Sequence, residues 1–304
     1  MISVYKYKDV TWTDLVEPTT EEIRDVAKKY GIDPLVAHEM VIPSFKHRVE
    51  SRHNYIYLIL HFPAWQRSKE SRESQEVDFL IGKNFVITTR FEQIDAVDRF
   101  AKKIEVESIL DKNAQGNPRD LIFFGLMNEI FSGILDQLDF IEDNLIDVQE
   151  RIFKGKEKEM VFALSEVSRH LLDFKKTTAP YPEALKTLER LGERQFGEDF
   201  GFCTRGIIEE FGKGERIMQH QMEYVSELRQ TNNSLLSTKE SQIMKTLTLM
   251  ASITLMPTLI AGIFGMNTHA DPIIGTQHDF WVILGIMLAS TGIILYFVYR
   301  KKWL

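Results

Sequence analysis

The chain has 304 residues, with 37 Lys and Arg against 44 Asp and Glu, for a net charge of −7. That balance argues against a nucleic-acid partner, which calls for a basic patch. The lone Cys203 excludes an intrachain disulfide and fits a reducing compartment.

The opening Met1-Ile2-Ser3-Val4-Tyr5-Lys6 has no apolar signal-peptide core, so roughly the first 240 residues are expected to stay in the cytoplasm. Ile2 to Tyr7 alternates as a strand. Trp12-Thr13-Asp14-Leu15 leads to Pro18-Thr19-Thr20-Glu21-Glu22, where a Thr cap before acidic residues predicts a helix running to Gly31. Asp33-Pro34 predicts a second, short helix. Tyr55 to Phe62 is apolar and aromatic, as a buried strand requires. Val77–Ile81 and Phe85–Thr89 flank Gly82-Lys83-Asn84, a predicted hairpin turn. Asp95 to Ile109 returns to a helical pattern.

From Arg119 to Arg151 the apolar residues Ile122, Leu126, Ile130, Ile134, Leu138, Ile141, Leu145 and Val148 recur every three or four positions, which predicts a long helix. Further helices are predicted over Lys158–Thr177 and Pro182–Leu191, with Gly192–Gly201 as a linker by composition. From about Cys203 the pattern is helical with no proline until Pro257. Unbroken, such a stalk of about 60 residues would reach on the order of 90 Å. Gly212-Lys213-Gly214 is the alternative break point.

Leu247 to Met266 is a run of 20 residues without a charged side chain, and Trp281 to Tyr299 is a second. Each is long enough, at ~1.5 Å per residue, to cross a hydrocarbon core of about 30 Å. The loop between them, Asn267 to Phe280, carries Asp271 and Asp279 and no Lys or Arg. Lys239 and Lys245 precede the first run, and Arg300, Lys301 and Lys302 follow the second. The positive-inside rule therefore predicts a hairpin with both termini cytoplasmic and a short outer loop. Trp281, Tyr296, Tyr299 and Trp303 sit where interfacial aromatics belong. Setting aside Arg300, Lys301, Lys302, Asp271 and Asp279 leaves 34 basic and 42 acidic residues, a net −8 on the rest of the chain.

The expected organisation is an α+β cytoplasmic domain over residues 1–200 with a helical hairpin, a stalk helix over 201–245, and a two-helix transmembrane hairpin over 246–304. Two helices cannot enclose a pore alone, so any conduction demands an oligomer.

Met244, Leu247, Ala251, Leu255, Thr258 and Gly262 fall at spacings of three and four, a seam with no charge. Periodicity alone leaves two readings open: a packing seam with small residues for close approach, or a pore wall. At its end stand Gly265, Met266 and Asn267. The carboxyl end of a helix carries roughly half a negative charge, and an asparagine amide oxygen can accept from an ion's water shell. A ring of such ends would attract cations without a carboxylate. An ordinary Gly-Asn helix stop would look the same.

Ile260-Ala261-Gly262-Ile263-Phe264-Gly265-Met266-Asn267 resembles the signature of the CorA family of divalent-cation transporters, whose first span ends in Tyr-Gly-Met-Asn. The likeness extends to Asn233-Ser234-Leu235-Leu236-Ser237, Met244-Lys245, Leu247-Thr248 and the closing Lys301-Lys302-Trp303-Leu304. Trp12-Thr13-Asp14-Leu15 with Pro18 and Glu22 resembles the family's opening. His47-Arg48-Val49-Glu50, Tyr55-Ile56-Tyr57 and Gly82-Lys83-Asn84-Phe85-Val86-Ile87 resemble its core strands.

The resemblance implies a funnel-shaped homopentamer in the cell membrane that admits Mg²⁺, with Co²⁺ and Ni²⁺ as secondary substrates. It places Gly265, Met266 and Asn267 on an outer selectivity ring, and Ser241, Met244, Leu247, Ala251, Leu255, Thr258 and Gly262 along the pore. It implies no organic cofactor. A Zn²⁺ or Co²⁺/Ni²⁺ transporter on the same scaffold, and a non-conducting membrane-anchored scaffold or sensor, are the alternatives.

Three departures stand out. The loop after the signature reads Thr268-His269-Ala270-Asp271-Pro272 where the family often has an acidic Met-Pro-Glu type, and His269 and His278 could favour softer metals. Ser241 stands where the family has a polar Asn. The regulatory metal site pairs carboxylates across subunits; Asp98 matches one partner, but Gly206 stands at the other, with Glu209 and Glu210 one turn on. Enzyme readings fail: His38-Glu39-Met40-Val41-Ile42 lacks the second histidine of a zinc-protease helix, and Gly212-Lys213-Gly214 lacks the upstream glycine of a phosphate loop.

Overall fold

The computed structural model describes residues 1–44, 46–63, 74–110, 116–266 and 278–300. Contacts divide the chain into two units, Met1–Arg229 and Gln230–Leu304.

In the first unit, β1 (Ile2–Tyr7), β2 (Val10–Val16), β3 (Arg48–Ser51), β4 (Tyr55–Pro63), β5 (Ser74–Gly82) and β6 (Phe85–Arg90) form one sheet in the order β1-β2-β6-β5-β4-β3. All neighbours are antiparallel except β2 and β6, which run parallel. β1 lies at an edge and alternates in exposure, whereas every residue of β4 is buried. An edge strand half-covered by protein needs only one apolar face; a central strand covered on both sides reads as one apolar run. That is why Tyr55–Phe62 was legible as buried.

α1 (Thr20–Tyr30) opens with a capping box between Thr19 and Glu22 and closes on Gly31 in the left-handed conformation. α2 (Pro34–Glu39) is capped by Asp33. Both helices cover one sheet face, where Leu15, Ile23, Val26, Val36, Met40, Tyr57, Leu80 and Ile87 make a continuous core. α3 (Asp95–Leu110) and α4 (Pro118–Phe153) pack on each other, and α4 reaches the sheet through β5 and β6. There Phe79 meets Phe123 and Phe62 meets Phe131, edge to face. α5 (Glu157–Thr178) runs back along α4, and α6 (Tyr181–Phe196) contacts β3 and β4.

α7 runs from Glu198 to Phe264 as one helix of 67 residues, and α8 spans Asp279–Arg300. No break falls at Gly212-Lys213-Gly214. The expected linker over Gly192–Gly201 is corrected: Gly192 lies inside α6, and only Gly197, with φ 103°, separates α6 from α7. The cluster of glycines misled because Gly192 and Gly201 serve close packing instead. A β-carbon on Gly192 would lie 2.2 Å from the Phe200 ring, so glycine there admits an aromatic rather than a turn. β3 falls where the resemblance placed a core strand at His47-Arg48-Val49-Glu50, whereas β2 and its parallel pairing with β6 carried no expectation.

Candidate functional site

Among the described residues, three helices are long and apolar enough to cross a membrane: Pro118–Phe153, Glu198–Phe264 and Phe280–Arg300. Half of the apolar window of α4 is buried in the first unit's core, while the windows of α7 and α8 are 0% and 6% buried. An uncovered apolar surface of that length is costly in water. The apolar windows of α7 and α8 are therefore the ones capable of crossing a membrane.

Within the second unit, exposure is not uniform around α7. Leu249, Ile253, Pro257, Ile260 and Phe264 are partly covered. On α8 the covered stripe is Ile283, Leu284, Met287, Ser290, Thr291, Ile294 and Val298, with Val298 only 8% exposed. Met244, Leu247, Ala251, Leu255, Thr258 and Gly262 are all exposed. Ala251 and Ile253 lie two residues apart, about 200° around a helix. The predicted seam is thus the side of α7 opposite its covered stripe. Ser241, Gly265 and Met266 are exposed as well. Asn267, His269 and Asp271 lie outside the described residues.

The hydroxyls of α7 are spent on its own backbone. Thr248 Oγ1 donates to Met244 O at 2.8 Å, Ser252 Oγ to Thr248 O at 2.8 Å, Thr254 Oγ1 to Met250 O at 2.9 Å and Thr258 Oγ1 to Thr254 O at 2.7 Å. This satisfies the hydroxyl protons within the helix itself. It leaves Thr258 with only lone pairs to present on the seam. The i,i+4 spacing of these residues was visible in sequence, but the reading passed over it. Pro257 sits within the helix and gives Ile253 O no intrahelical N–H partner.

The helix tightens at its end, with Gly265 N–H donating to Ala261 O at 2.8 Å and Met266 N–H to Ile263 O at 3.3 Å. A β-carbon at Gly265 would lie 2.9 Å from Ala261 O. Glycine is needed there to let the chain turn without pressing on that carbonyl.

In the first unit, Asp98 is engaged. Arg90 Nη2 lies 2.5 Å from Asp98 Oδ1 and 2.9 Å from Asp14 Oδ2, and Asp14 also accepts from Thr88 Oγ1 at 2.6 Å. Arg90 and Asp14 are buried, whereas the Asp98 side chain is 43% exposed. Glu210 pairs with Lys213 at 2.7 Å, and Glu209 is exposed. Gly206 faces open space. Among the described residues of one chain, no three His, Cys, Asp or Glu gather as a metal-holding group, so Asp98, Glu209 and Glu210 do not form one within a single chain. Arg90 was not singled out from sequence, since a strand-end arginine carries no signal of its partners.

The sequence pattern of CorA-like Mg²⁺ transporter proteins matches residues 7–300. The chain belongs to that family. Among its CorA relatives, the cobalt/magnesium transport protein CorA of Thermotoga maritima is 25% identical over 306 residues, covering 99% of this chain and 86% of the relative. That of Methanocaldococcus jannaschii is 24% identical, covering 100% of this chain and 94% of the relative. The complete structure of the CorA magnesium transporter from M. jannaschii superposes with a TM-score of 0.84 at 21% identity, over 97% of this chain and 92% of that one. The full-length CmaX protein does so at 0.75 with 14% identity, over 97% and 89%. The CorA fold of an α/β domain, a long helix and a C-terminal helix is thereby shown.

Proposed function

We propose that the chain moves Mg²⁺, and Co²⁺ or Ni²⁺ less readily, across a membrane down the electrochemical gradient. The observation that carries this is the uncharged α7 seam, exposed along its whole length and opposite the covered stripe. A second unit of two helices has no passage of its own, and such a seam needs other copies around an axis. Five copies is the number that the family resemblance implies. Both termini lie on the cytoplasmic side in this reading, and the Asn267–Phe280 loop lies outside.

Mg²⁺ dehydrates reluctantly and demands six oxygens in an octahedron. A passage without carboxylates cannot readily strip it. Helix-end carbonyls at Gly265 and Met266, with an Asn267 amide from each copy, would hold the ion by its waters. Thr258 offers lone pairs to the same shell. Met244 and Leu247 form an apolar collar that gates by dewetting. No nucleotide is needed, because a divalent ion crossing 100 mV inward gains about 4.6 kcal/mol. Asp98, Glu209 and Glu210 are the carboxylates assigned to sensing cytoplasmic Mg²⁺ between copies.

Uptake by the purified protein in liposomes tests this. Asn267→Ala is expected to abolish Mg²⁺ selectivity and most flux, and undiminished Mg²⁺ flux in that variant would defeat the assignment. Zn²⁺ uptake that excess Mg²⁺ fails to block would point instead to a Zn²⁺ carrier. No divalent flux even after chelation on the cytoplasmic side would point to a non-conducting scaffold or sensor.

A further inference from the structure

The first unit buries a group of ionisable side chains that transport does not use. His61 of β4 and Glu76 of β5 are direct cross-strand partners, and their side chains are 11% and 5% exposed. His61 Nε2 lies 3.2 Å from Glu76 Oε2 and 2.7 Å from Ser44 O. Two acceptors at one nitrogen require the proton on Nε2. Both Glu76 oxygens accept from Ser44 N–H, at 3.0 and 2.7 Å. Ser44, in the connection between α2 and β3, is thus held at both its N–H and its carbonyl by one cross-strand pair.

The His47 ring sits edge-on to His61 with centroids 4.8 Å apart, and edge-on to Tyr181 at 5.6 Å. One ring nitrogen of His47 bonds the Thr177 backbone at the end of α5. Among the described residues, its Nδ1 and that of His61 are buried with no hydrogen-bond partner. Tyr181, from α6, donates to His61 O at 2.6 Å. Among the described residues, the other charged or titratable groups that bear on the cluster are Asp78 of β5, Tyr57 of β4, which donates to Asp78 at 3.1 Å, Glu39 of α2, and Arg48 of β3, which pairs with Glu39 at 2.6 Å.

We propose that His47, His61 and Glu76 form an acid-released latch that fastens the Ser44 end of the α2–β3 connection to β4 and β5. His61 is the gripping residue. Burial works against its protonated form, but the hydrogen bonds to Glu76 and Ser44 O outweigh burial and raise its pKa. His47 is the trigger. Burial, and then the neighbouring His61, lower its pKa to about 4. A proton added at His47 Nδ1 has no acceptor among the described residues and lies against the His61 ring. Swinging the connection away from the sheet hydrates His47 and returns it to an ordinary imidazole.

The sign follows. His47 resists the proton only when the latch is closed, so acid favours the open form as pH falls below the free imidazole value. His61 works the other way round, holding the latch below its raised pKa and losing that grip as pH rises. Asp78 and Glu76 act on each other, so the titration of Asp78 reaches both global stability and the latch carboxylate. The measurement must therefore be local.

Amide exchange at Ser44, resolved to the single residue in the full chain in nanodiscs and corrected for chemical exchange, reads the latch directly. From about pH 7.5 to about pH 5.5, His47 with its closed value of about 4 would by itself lower protection at Ser44 about tenfold, and His61 opposes this, so a fall of severalfold and less than about tenfold is expected. Leu58, in the core of β4, is expected to keep its protection. His47→Gln, which cannot take up the proton, is expected to keep Ser44 protected at the lower pH. Wild-type protection that does not change with pH overturns the proposal without any variant, as does a His47→Gln protein whose Ser44 loosens like the wild type. Neither outcome depends on what the second unit transports.

Discussion

Replacing Arg90 by methionine isolates the worth of the Asp14–Arg90–Asp98 group. Methionine keeps most of the apolar stem and removes the charge. Two carboxylates lose their partner, but unequally. The Asp98 side chain is 43% exposed and returns to water, so its loss is worth about 0–1 kcal/mol. The Asp14 side chain is 3% exposed and keeps only Thr88 Oγ1 at 2.6 Å. Abandoning a buried charge costs about 3–5 kcal/mol. The unit comprises residues 1–229, for which ~1 kcal/mol moves the midpoint by about 2–4 °C. Arg90→Met should therefore lower the midpoint of thermal unfolding by about 6–20 °C, and Asp98→Ala by no more than about 4 °C. Asp14→Asn added to Arg90→Met keeps an acceptor for Thr88 without the stranded charge and should recover most of the loss. Scanning fluorimetry of the full chain in detergent, with Trp12 donating to Thr88 at 3.0 Å as a reporter inside the network, checks all three. Equal losses for Arg90→Met and Asp98→Ala, or no recovery in the double variant, would refute the argument that Asp14 is the group at stake.

Two further changes probe packing and protonation. Gly192→Ala should stabilise a helix by about 1 kcal/mol on propensity alone, yet the new methyl would lie 2.2 Å from the ring of the fully buried Phe200. A lowered unfolding midpoint, by about 1–3 kcal/mol of overpacking, is expected, and a raised one would show that Phe200 can move. Burial, with the nearby Glu76 adding to the effect, raises the Asp78 carboxyl well above the usual carboxylate range. A raised carboxyl favours the folded state below its unfolded value and loses that advantage as pH rises through the folded one. Asp78→Asn should thus remove a loss of stability that the wild type shows as pH rises above the ordinary carboxylate range, read as a flatter profile of midpoint against pH.

Much of the architecture was legible along the chain. The capping box at Thr19 and Glu22, the apolar period of α4 and the fully apolar β4 are local signals, and each marked its element correctly. The α7 seam was legible for the same reason, because a period of three and four places residues on one side of any helix. Sequence left open whether that side packs or lines a passage. The structure leaves it exposed, opposite the stripe that is covered within the second unit. The glycines misled in the opposite direction. Gly192 and Gly197 look alike in sequence, but one admits the Phe200 ring inside a helix and the other takes φ 103° between two helices.

By itself the sequence determined the local facts: which segments are helices, where caps and spans begin, and which residues share a helix side. These depend on neighbours three or four positions away. Only the tertiary structure joined Thr88 to Asp14, paired His61 with Glu76 and set Arg90 between two aspartates, since those partners meet through strand register and burial across 8 to 76 positions of chain. Pairings at that distance follow from how the sheet is stacked, and no local pattern of residue types encodes them.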